Sequence, residues 1–308
     1  MSLSPPLQSV AIDSKPPKRL QDTHVAILLV LPALALLFGI IIYPLLNSMY
    51  IGLLDKSLVY GGDDFVGLKN IQSVLKSDFL PILSNTLVFA VAATILPFII
   101  GFIVALVLNA SNRAQGILRG AFLLPWLVPS VIASFLWLWI FNANYGVLNG
   151  ILRNLGLIHQ NVNWLSTGSS AMAAVLIAKT WQTFPWIAIM ILAGLQTIPG
   201  ELLEAAAIDG ANRLNRFRKV TLPHLRSIIS VVLLLSLIWN FQHFETIYVM
   251  TRGGPAKATT TFSVAVYQTA FQAFDLGKAG ALGILWMVLL SLVVVVYLRF
   301  GMSSEENY

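Results

Sequence analysis

The chain has 308 residues, 57% of them hydrophobic and only 10% charged, with a net charge of +6 at neutral pH and a mean hydropathy of +0.80. A composition this apolar excludes a soluble globular domain and places the chain among integral membrane proteins. With no cysteine there are no disulfides or thiolate metal sites, and the four scattered histidines lack metal-ligand spacing.

Residues 1–22, with Pro5, Pro6, Pro16 and Pro17, read as a tail. Six apolar runs follow, at 25–49, 84–109, 119–142, 171–196, 227–250 and 279–299. Each is long enough to cross a hydrocarbon layer of roughly 30 Å, which takes about 20 helical residues. The runs are continuous and do not alternate, so helices are expected and barrel strands are not. The fold class is therefore all-α, a polytopic membrane protein of six transmembrane helices. Its parts are a cytoplasmic tail 1–22, a first transmembrane helix 23–50, an outer loop 51–81, a five-helix core 82–300 and a cytoplasmic tail 301–308. The first run is too long for the core of a signal peptide and lacks a small-residue cleavage site, so it is expected to be retained.

Orientation follows from Lys and Arg in the loops. With the N-terminus inside, the inner segments hold Lys15, Lys18, Arg19, Arg113, Arg119, Arg213, Arg216, Arg218, Lys219, Arg226 and Arg299, eleven in all. The outer segments hold Lys56, Lys69, Lys76, Arg153, Arg252, Lys257 and Lys278, seven in all, spread over longer loops. Both termini are expected in the cytoplasm. The positive balance reflects this bias and points to no nucleic-acid partner.

The spans carry polar side chains, which are costly at bilayer depth and face a cavity or another helix. In the third span Trp126 and Ser130 lie four apart. In the fourth, Lys179, Thr183 and Trp186 fall at i, i+4 and i+7, on one helical face. Pro97, Pro125, Pro129 and Pro185 interrupt spans and mark candidate kinks.

The inner loop at 201–226 is far longer than a turn requires. Pro199 and Gly200 end the fourth span, and Glu201 opens a short helix through Ile208 with acid in its first turn, where the helix dipole favours it. Ala205, Ala206, Ala207 and Ala211 leave a smooth surface able to enter a partner's groove. Asp209-Gly210 supplies a turn. Arg213 to Lys219 is a second, basic helical stretch near the anionic inner leaflet, and Leu222-Pro223 is expected to stop it before the fifth span. A pair of surface helices with no partner is the alternative on composition alone.

In the fifth span Ser236, Asn240 and His243 again follow i, i+4, i+7. Counting about 1.5 Å per residue puts Ser130, Thr183 and Asn240 about 18–20 Å deep, near the midplane. Three stripes at one depth suggest a single cavity lined by hydroxyl, amide and aromatic groups, as a sugar ring requires. Helix–helix packing is the alternative use of such residues. Lys179 and Glu245 are the deepest ionisable groups. Pairing between them is favoured; otherwise Lys179 faces the cavity and an oxygen-rich or anionic solute.

Glu204-Ala205-Ala206, Asp209-Gly210-Ala211, Phe217 and Leu222-Pro223 together resemble the EAA loop of binding-protein-dependent ABC importer permeases. The resemblance extends along most of the chain. Phe65-Val66-Gly67-Leu68 with Asn70, and Asn85-Thr86-Leu87, are similar to the outer segment of carbohydrate permeases. Leu124-Pro125-Trp126 with Pro129-Ser130, Trp137, and Tyr145-Gly146-Val147-Leu148-Asn149 resemble their third span and its outer loop. Thr251-Arg252-Gly253-Gly254-Pro255 looks like the Gly-Gly-Pro turn of the maltose-permease and glycerol-phosphate-permease branch.

This resemblance implies a type I ABC importer permease fold. It implies ATPase-coupling roles for Glu204, Ala205, Ala206, Asp209, Gly210, Ala211, Phe217 and Pro223. It carries a sugar site onto Trp126, Ser130, Lys179, Thr183, Trp186, Ser236, Asn240 and His243, of which Ser130, Ser236 and Asn240 keep the family residue. The implied partners are a second homologous permease subunit, two cytoplasmic ATPase subunits, an extracytoplasmic solute-binding protein and the lipid bilayer. No cofactor is implied for this chain, since ATP and Mg belong to the partner ATPase, and the chain has no G-x-x-x-x-G-K-[ST] loop of its own. The implied solute is a di- or oligosaccharide or a sugar-polyol glycoside, with glycerol phosphate as the alternative. An ion-coupled secondary transporter would need coordinating carboxylates and internal repeats, and Glu245 alone is thin support. An intramembrane enzyme would need a nucleophile beside a base, and Ser236 and His243 are two turns apart.

Overall fold

The computed structural model describes residues 22–110 and 115–301. The expected tails, apart from Asp22 and Gly301, lie outside these residues, as does Arg113. The chain divides into two units between residues 48 and 49. In the first, α1 (Asp22–Leu36) passes through a π-helical turn, Leu37–Ile42, toward α2 (Tyr43–Ile51). Its apolar side chains, Leu28, Leu29 and Ile40 among them, stand exposed. A helix hydrophobic on all sides suits lipid better than water.

The second unit opens with a hairpin that the all-α reading did not anticipate. β1 (Leu54–Ser57) pairs antiparallel with β2 (Gly61–Phe65) within residues 51–81. Gly61 and Gly62 make the hairpin possible, with φ of +69° and +103°, conformations that side-chain-bearing residues avoid. α3 (Lys69–Ser77) follows, and Asn70 Nδ2 donates to the carbonyls of Gly52 and Leu54 at 3.1 and 2.8 Å, fastening the hairpin to it.

The centre of the fold is the packing of α4 (Phe79–Ala110) against α8 (Gly168–Gln196). Lipid tails are as apolar as leucine, so membrane helices associate through close packing, which small residues permit. Ala90, Ala93 and Ala105 of α4 and Ala174, Ala178 and Ala188 of α8 are all buried. A Cβ at Gly101 would lie only 2.7 Å from the Phe184 carbonyl, so α4 and α8 approach there to a distance that only glycine allows.

Among the described residues five helices are long and apolar enough to span a bilayer, and a sixth span is formed only if a bent pair is counted as one. That pair is α5 (Gln115–Leu127) and α6 (Ser130–Ile140), which meet at 99°. The continuous third span expected at 119–142 is therefore broken. Proline disfavours helical geometry in the residue before it, and Pro129 itself is extended, with φ −54° and ψ 138°. Short α7 (Val147–Asn154) and the loop to α8 follow.

Two further expectations are corrected. The fifth span does not run to residue 250: α11 (Leu222–Phe241) ends at Phe241, and α12 (Glu245–Thr251) is separate. His243 accounts for the break, because its ring nitrogen Nε2 accepts the Thr246 backbone N–H at 3.4 Å and so caps the new helix. Nor does Leu222-Pro223 stop the preceding helix. After α9 (Gly200–Ile208) and α10 (Arg213–Arg216), a π-helical turn at Phe217–Thr221 carries the helix into α11, with the Leu222 N–H donating to the Phe217 carbonyl. Pro223, at the head of α11, lacks a donor, and the π turn carries the backbone past it as a continuous helix. α13 (Phe262–Phe271) and α14 (Leu276–Gly301) complete the unit.

Candidate functional site

Two places gather the chemistry-bearing residues: a cleft at the break between α5 and α6, and the exposed loop between α8 and α11. The cleft has a volume of about 290 Å³. Trp126 at the end of α5 and Ser130 at the start of α6 face Lys179, Thr183 and Trp186 of α8. Thr183 lies about 22 Å along a helix of about 43 Å, halfway down it. Five of the eight predicted residues thus meet in one cleft.

Leu127, Val128 and Pro129 of the break also line this cleft, and so do two side chains from the facing helices. Trp239 of α11 packs on Trp186 with ring centroids 5.0 Å apart. Gln182 donates from Nε2 to the Val128 carbonyl at 2.9 Å and to Ser130 Oγ at 3.2 Å. Val128 stands where the helix is broken, so its carbonyl has lost its helical donor and the amide replaces it. The signal was present in the sequence: Gln182 follows Lys179 at i+3, a spacing that shares a face as well as i+4 does.

Ser236, Asn240 and His243 are not in the cleft lining. The helix ends before His243, so the three do not share one helical face. Ser236 is buried, and its hydroxyl has no hydrogen-bond partner among the described residues. Asn240 donates from Nδ2 to the Ala93 carbonyl at 2.9 Å and to Thr94 Oγ1 at 3.2 Å. Ala93 is four residues before Pro97 in α4. Since Pro97 has no N–H, the Ala93 carbonyl has lost its helical donor, and the Asn240 amide from α11 takes that place.

His243 is buried, stacked on Phe89 with centroids 5.8 Å apart. Its Nδ1 lies 3.5 Å from Lys179 Nζ and 3.5 Å from Glu245 Oε2. Among the described residues Lys179 and Glu245 make no direct ion pair. The favoured pairing is replaced by an arrangement in which the imidazole stands between ammonium and carboxylate.

The loop between α8 and α11 is built to hold its shape. After α9, the Ala211 N–H donates to the Ala206 carbonyl at 2.9 Å and the Gly210 N–H to the Ala207 carbonyl at 3.1 Å. This is a Schellman ending, and Gly210 supplies the left-handed residue it requires, with φ +79°. Asn212 then caps α10 by accepting the Asn215 N–H at 2.8 Å. Phe217 packs edge-on against Phe102 of α4, with centroids 6.1 Å apart, anchoring the loop to the helix core. Glu204, Ala205, Asp209, Gly210 and Pro223 are exposed, while Ala206 and Ala211 are half-buried. Ile208 is 86% exposed at the tip.

A protein-family model described as "Binding-protein-dependent transport system inner membrane component" matches residues 97–302, a stretch that contains both the cleft and the loop. The chain belongs to this family. The permease is 38% identical over 290 residues to the trehalose/maltose transport system permease protein MalF of Thermococcus litoralis, covering 93% of this chain and 96% of the relative. It is 35% identical over 288 residues to the sulfoquinovosyl glycerol transport system permease protein SmoG of Agrobacterium fabrum, covering 93% of each. Among solved structures, it matches a chain of a bacterial ABC transporter involved in the import of the acidic polysaccharide alginate. The TM-score is 0.80 at 20% identity, covering 92% of this chain and 96% of that one. At that identity the match bears on the fold alone.

The permease's loop between α6 and α8 has its own organising residue. Asn149 donates to the carbonyls of Ala143 and Val162 at 3.1 and 2.9 Å, and accepts from the Val162 N–H and from Trp164 Nε1 at 3.3 and 3.0 Å. One amide thus closes the loop between α6 and α8. A Cβ at Gly146 would run into the Ile140 and Asn142 carbonyls, which explains the glycine there.

Proposed function

We propose that this permease is one of two homologous membrane subunits that form the path of an ATP-binding-cassette importer for a di- or oligosaccharide or a sugar-polyol glycoside. Solute arrives on an extracytoplasmic binding protein, and two cytoplasmic ATPase subunits, which carry ATP and Mg, drive the cycle. Both termini and the α9–α10 loop face the cytoplasm. The reading is carried by the cleft at the α5–α6 break, where tryptophan faces, a hydroxyl pair, an amide and an ammonium converge halfway along α8. Aromatic walls with a few oriented polar groups are what a sugar site requires. Trp126, Ser130, Lys179, Thr183 and Trp186 contact solute, with Gln182 and Trp239 beside them; Ser236, Asn240 and His243 join the path as the helices move. The names of the relatives favour the sugar class.

Glu204, Ala205, Ala206, Asp209, Gly210, Ala211, Phe217 and Pro223 form the coupling element. The Glu204 carboxylate holds no partner among the described residues, and Ile208 projects an apolar side chain into water; both suit a groove on an ATPase subunit. The test is uptake of radiolabelled trehalose, maltotriose and glucosylglycerol by proteoliposomes holding the complete transporter and its binding protein. ATP-dependent accumulation of a saccharide, lost in Thr183→Trp, is expected. Accumulation of amino acids or peptides alone would overturn the substrate class.

A further inference from the structure

A second cleft, of about 460 Å³, lies between the C-terminal end of α6 and the loop leading to α8. It is not the cleft at the helix break, although α6 connects the two. Ser130 begins that helix, and Trp139 stands nine residues further, about 13 Å along its axis. The lining combines Phe135, Trp139 and Tyr145 with Asn142, Asn144 and Asn163. Trp139 is 53% and Tyr145 66% exposed.

The asparagines are only partly used by the fold. Asn142 Oδ1 accepts the backbone N–H groups of Asn144 and Tyr145, and Asn163 Oδ1 accepts that of Leu165. Their Nδ2 groups, and the whole amide of Asn144, have no protein partner among the described residues. Turn formation accounts for the Asn142 and Asn163 oxygens and leaves their donors without a protein partner among the described residues, on residues that line the cleft. An exposed amide donates twice and accepts through two lone pairs, which matches the alternating hydroxyls of a sugar. An aromatic ring offers a flat face to the C–H face of the same ring. The volume lies within the range of small-molecule sites.

We propose that this cleft is an outer saccharide subsite, in which a neutral sugar unit rests against Trp139 and Tyr145 with its hydroxyls on the free Nδ2 groups of Asn142 and Asn163 and the amide of Asn144. The proposal rests on the sugar-importer reading and adds to it a station on the binding-protein side of the membrane cleft, joined to it by α6. A sugar leaving its binding protein meets the outer subsite first, and the subsite keeps it within one helix length of the path.

The test uses the complete transporter, solubilised without its binding protein, and equilibrium binding of whichever radiolabelled saccharide the wild type accumulates among trehalose, maltotriose and glucosylglycerol. The double variant Trp139→Ala/Asn144→Ala spares the hydrogen bonds that shape the loop. It is expected to weaken one class of binding about tenfold, the scale of 1.4 kcal/mol of lost contact, while Gln182→Leu in the membrane cleft leaves that class intact. Interferometry against the loaded binding protein should change by less than about twofold, since interface residues away from a hot spot contribute little. Unchanged saccharide binding in the double variant overturns the subsite. Weaker docking of the binding protein with saccharide binding retained also overturns it, and makes the cleft a protein contact. If the wild type accumulates no saccharide, the importer reading itself fails, an outcome distinct from the variant behaving as wild type.

Discussion

Replacing Asn240 with leucine tests whether this amide holds the helices together. In the wild type, Asn240 Nδ2 serves the Ala93 carbonyl that Pro97 leaves without a donor, at 2.9 Å, and also Thr94 Oγ1. Thr94 Oγ1 is the lesser loss, because that hydroxyl already donates to the Ala90 carbonyl at 2.7 Å. The Ala93 carbonyl, by contrast, would be stranded. An unsatisfied buried acceptor costs about 1–3 kcal/mol, and side-chain hydrogen bonds between membrane helices average about 0.6 kcal/mol with a maximum near 1.7. A loss of about 1–2 kcal/mol is expected for Asn240→Leu. Pro97→Ala returns an N–H to the position that should serve Ala93, so the double variant Pro97→Ala/Asn240→Leu should recover at least half of the loss. Denaturant titration of all four proteins in mixed micelles measures the coupling as a double-mutant cycle. Strict additivity, with no recovery, would refute the assignment. Uptake by the same four proteins adds a second reading. A double variant that is stable yet inactive would mean that Asn240 also touches the solute.

Other perturbations follow from the packing. Gly101→Val forces a side chain against the Phe184 backbone and should cost about 1–3 kcal/mol by overpacking, seen as reduced recovery of folded protein; Gly150→Ala, where a Cβ meets nothing within 4 Å, should be stabilising by about 0.5–1 kcal/mol as a helix-interior replacement. Charge exchange in Lys179→Glu/Glu245→Lys should not restore uptake lost in either single change, because His243 separates the two groups; full recovery would show that they pair directly. His243→Phe keeps the stack on Phe89 but removes the polar link to Lys179 and Thr246, and uptake should fall while assembly persists. Asn149→Leu deletes four hydrogen bonds in the loop between α6 and α8, and faster protease cleavage between residues 143 and 165 is the expected readout.

What the sequence made legible follows physical range. The apolar runs report a solvent, so α4, α8 and α14 emerged within a few residues of their ends. The loop between α8 and α11 was legible because its signals are local: Asp209-Gly210 for the turn, Glu201 for the first helix. The break in the third span was marked by Pro129, but a proline announces a kink and not an angle of 99°. The end of α11 was hidden, since Gln242-His243 is short, lies between Phe241 and Phe244 and carries neither Gly nor Pro, while the contact of His243 with Thr246 appears only in the structure. Asn240 was the hardest to place. Its acceptor is created by a proline more than a hundred residues earlier, and no local pattern connects them. Lys179, Thr183 and Trp186 of the α8 stripe line one cleft, and Gln182 was missed by following i+4 without i+3.

The most direct test of the account lies in the α9–α10 loop. In proteoliposomes holding the complete transporter, ATP-driven saccharide uptake is compared between wild type and Glu204→Ala/Gly210→Val, with co-purification of the ATPase subunits recorded for each. The valine cannot take the left-handed conformation of Gly210 without strain, and the alanine removes the unpartnered carboxylate. Uptake should vanish while the membrane subunits still assemble, with the ATPase either released or hydrolysing ATP without transport. Uptake at the wild-type rate would contradict the coupling role of this loop.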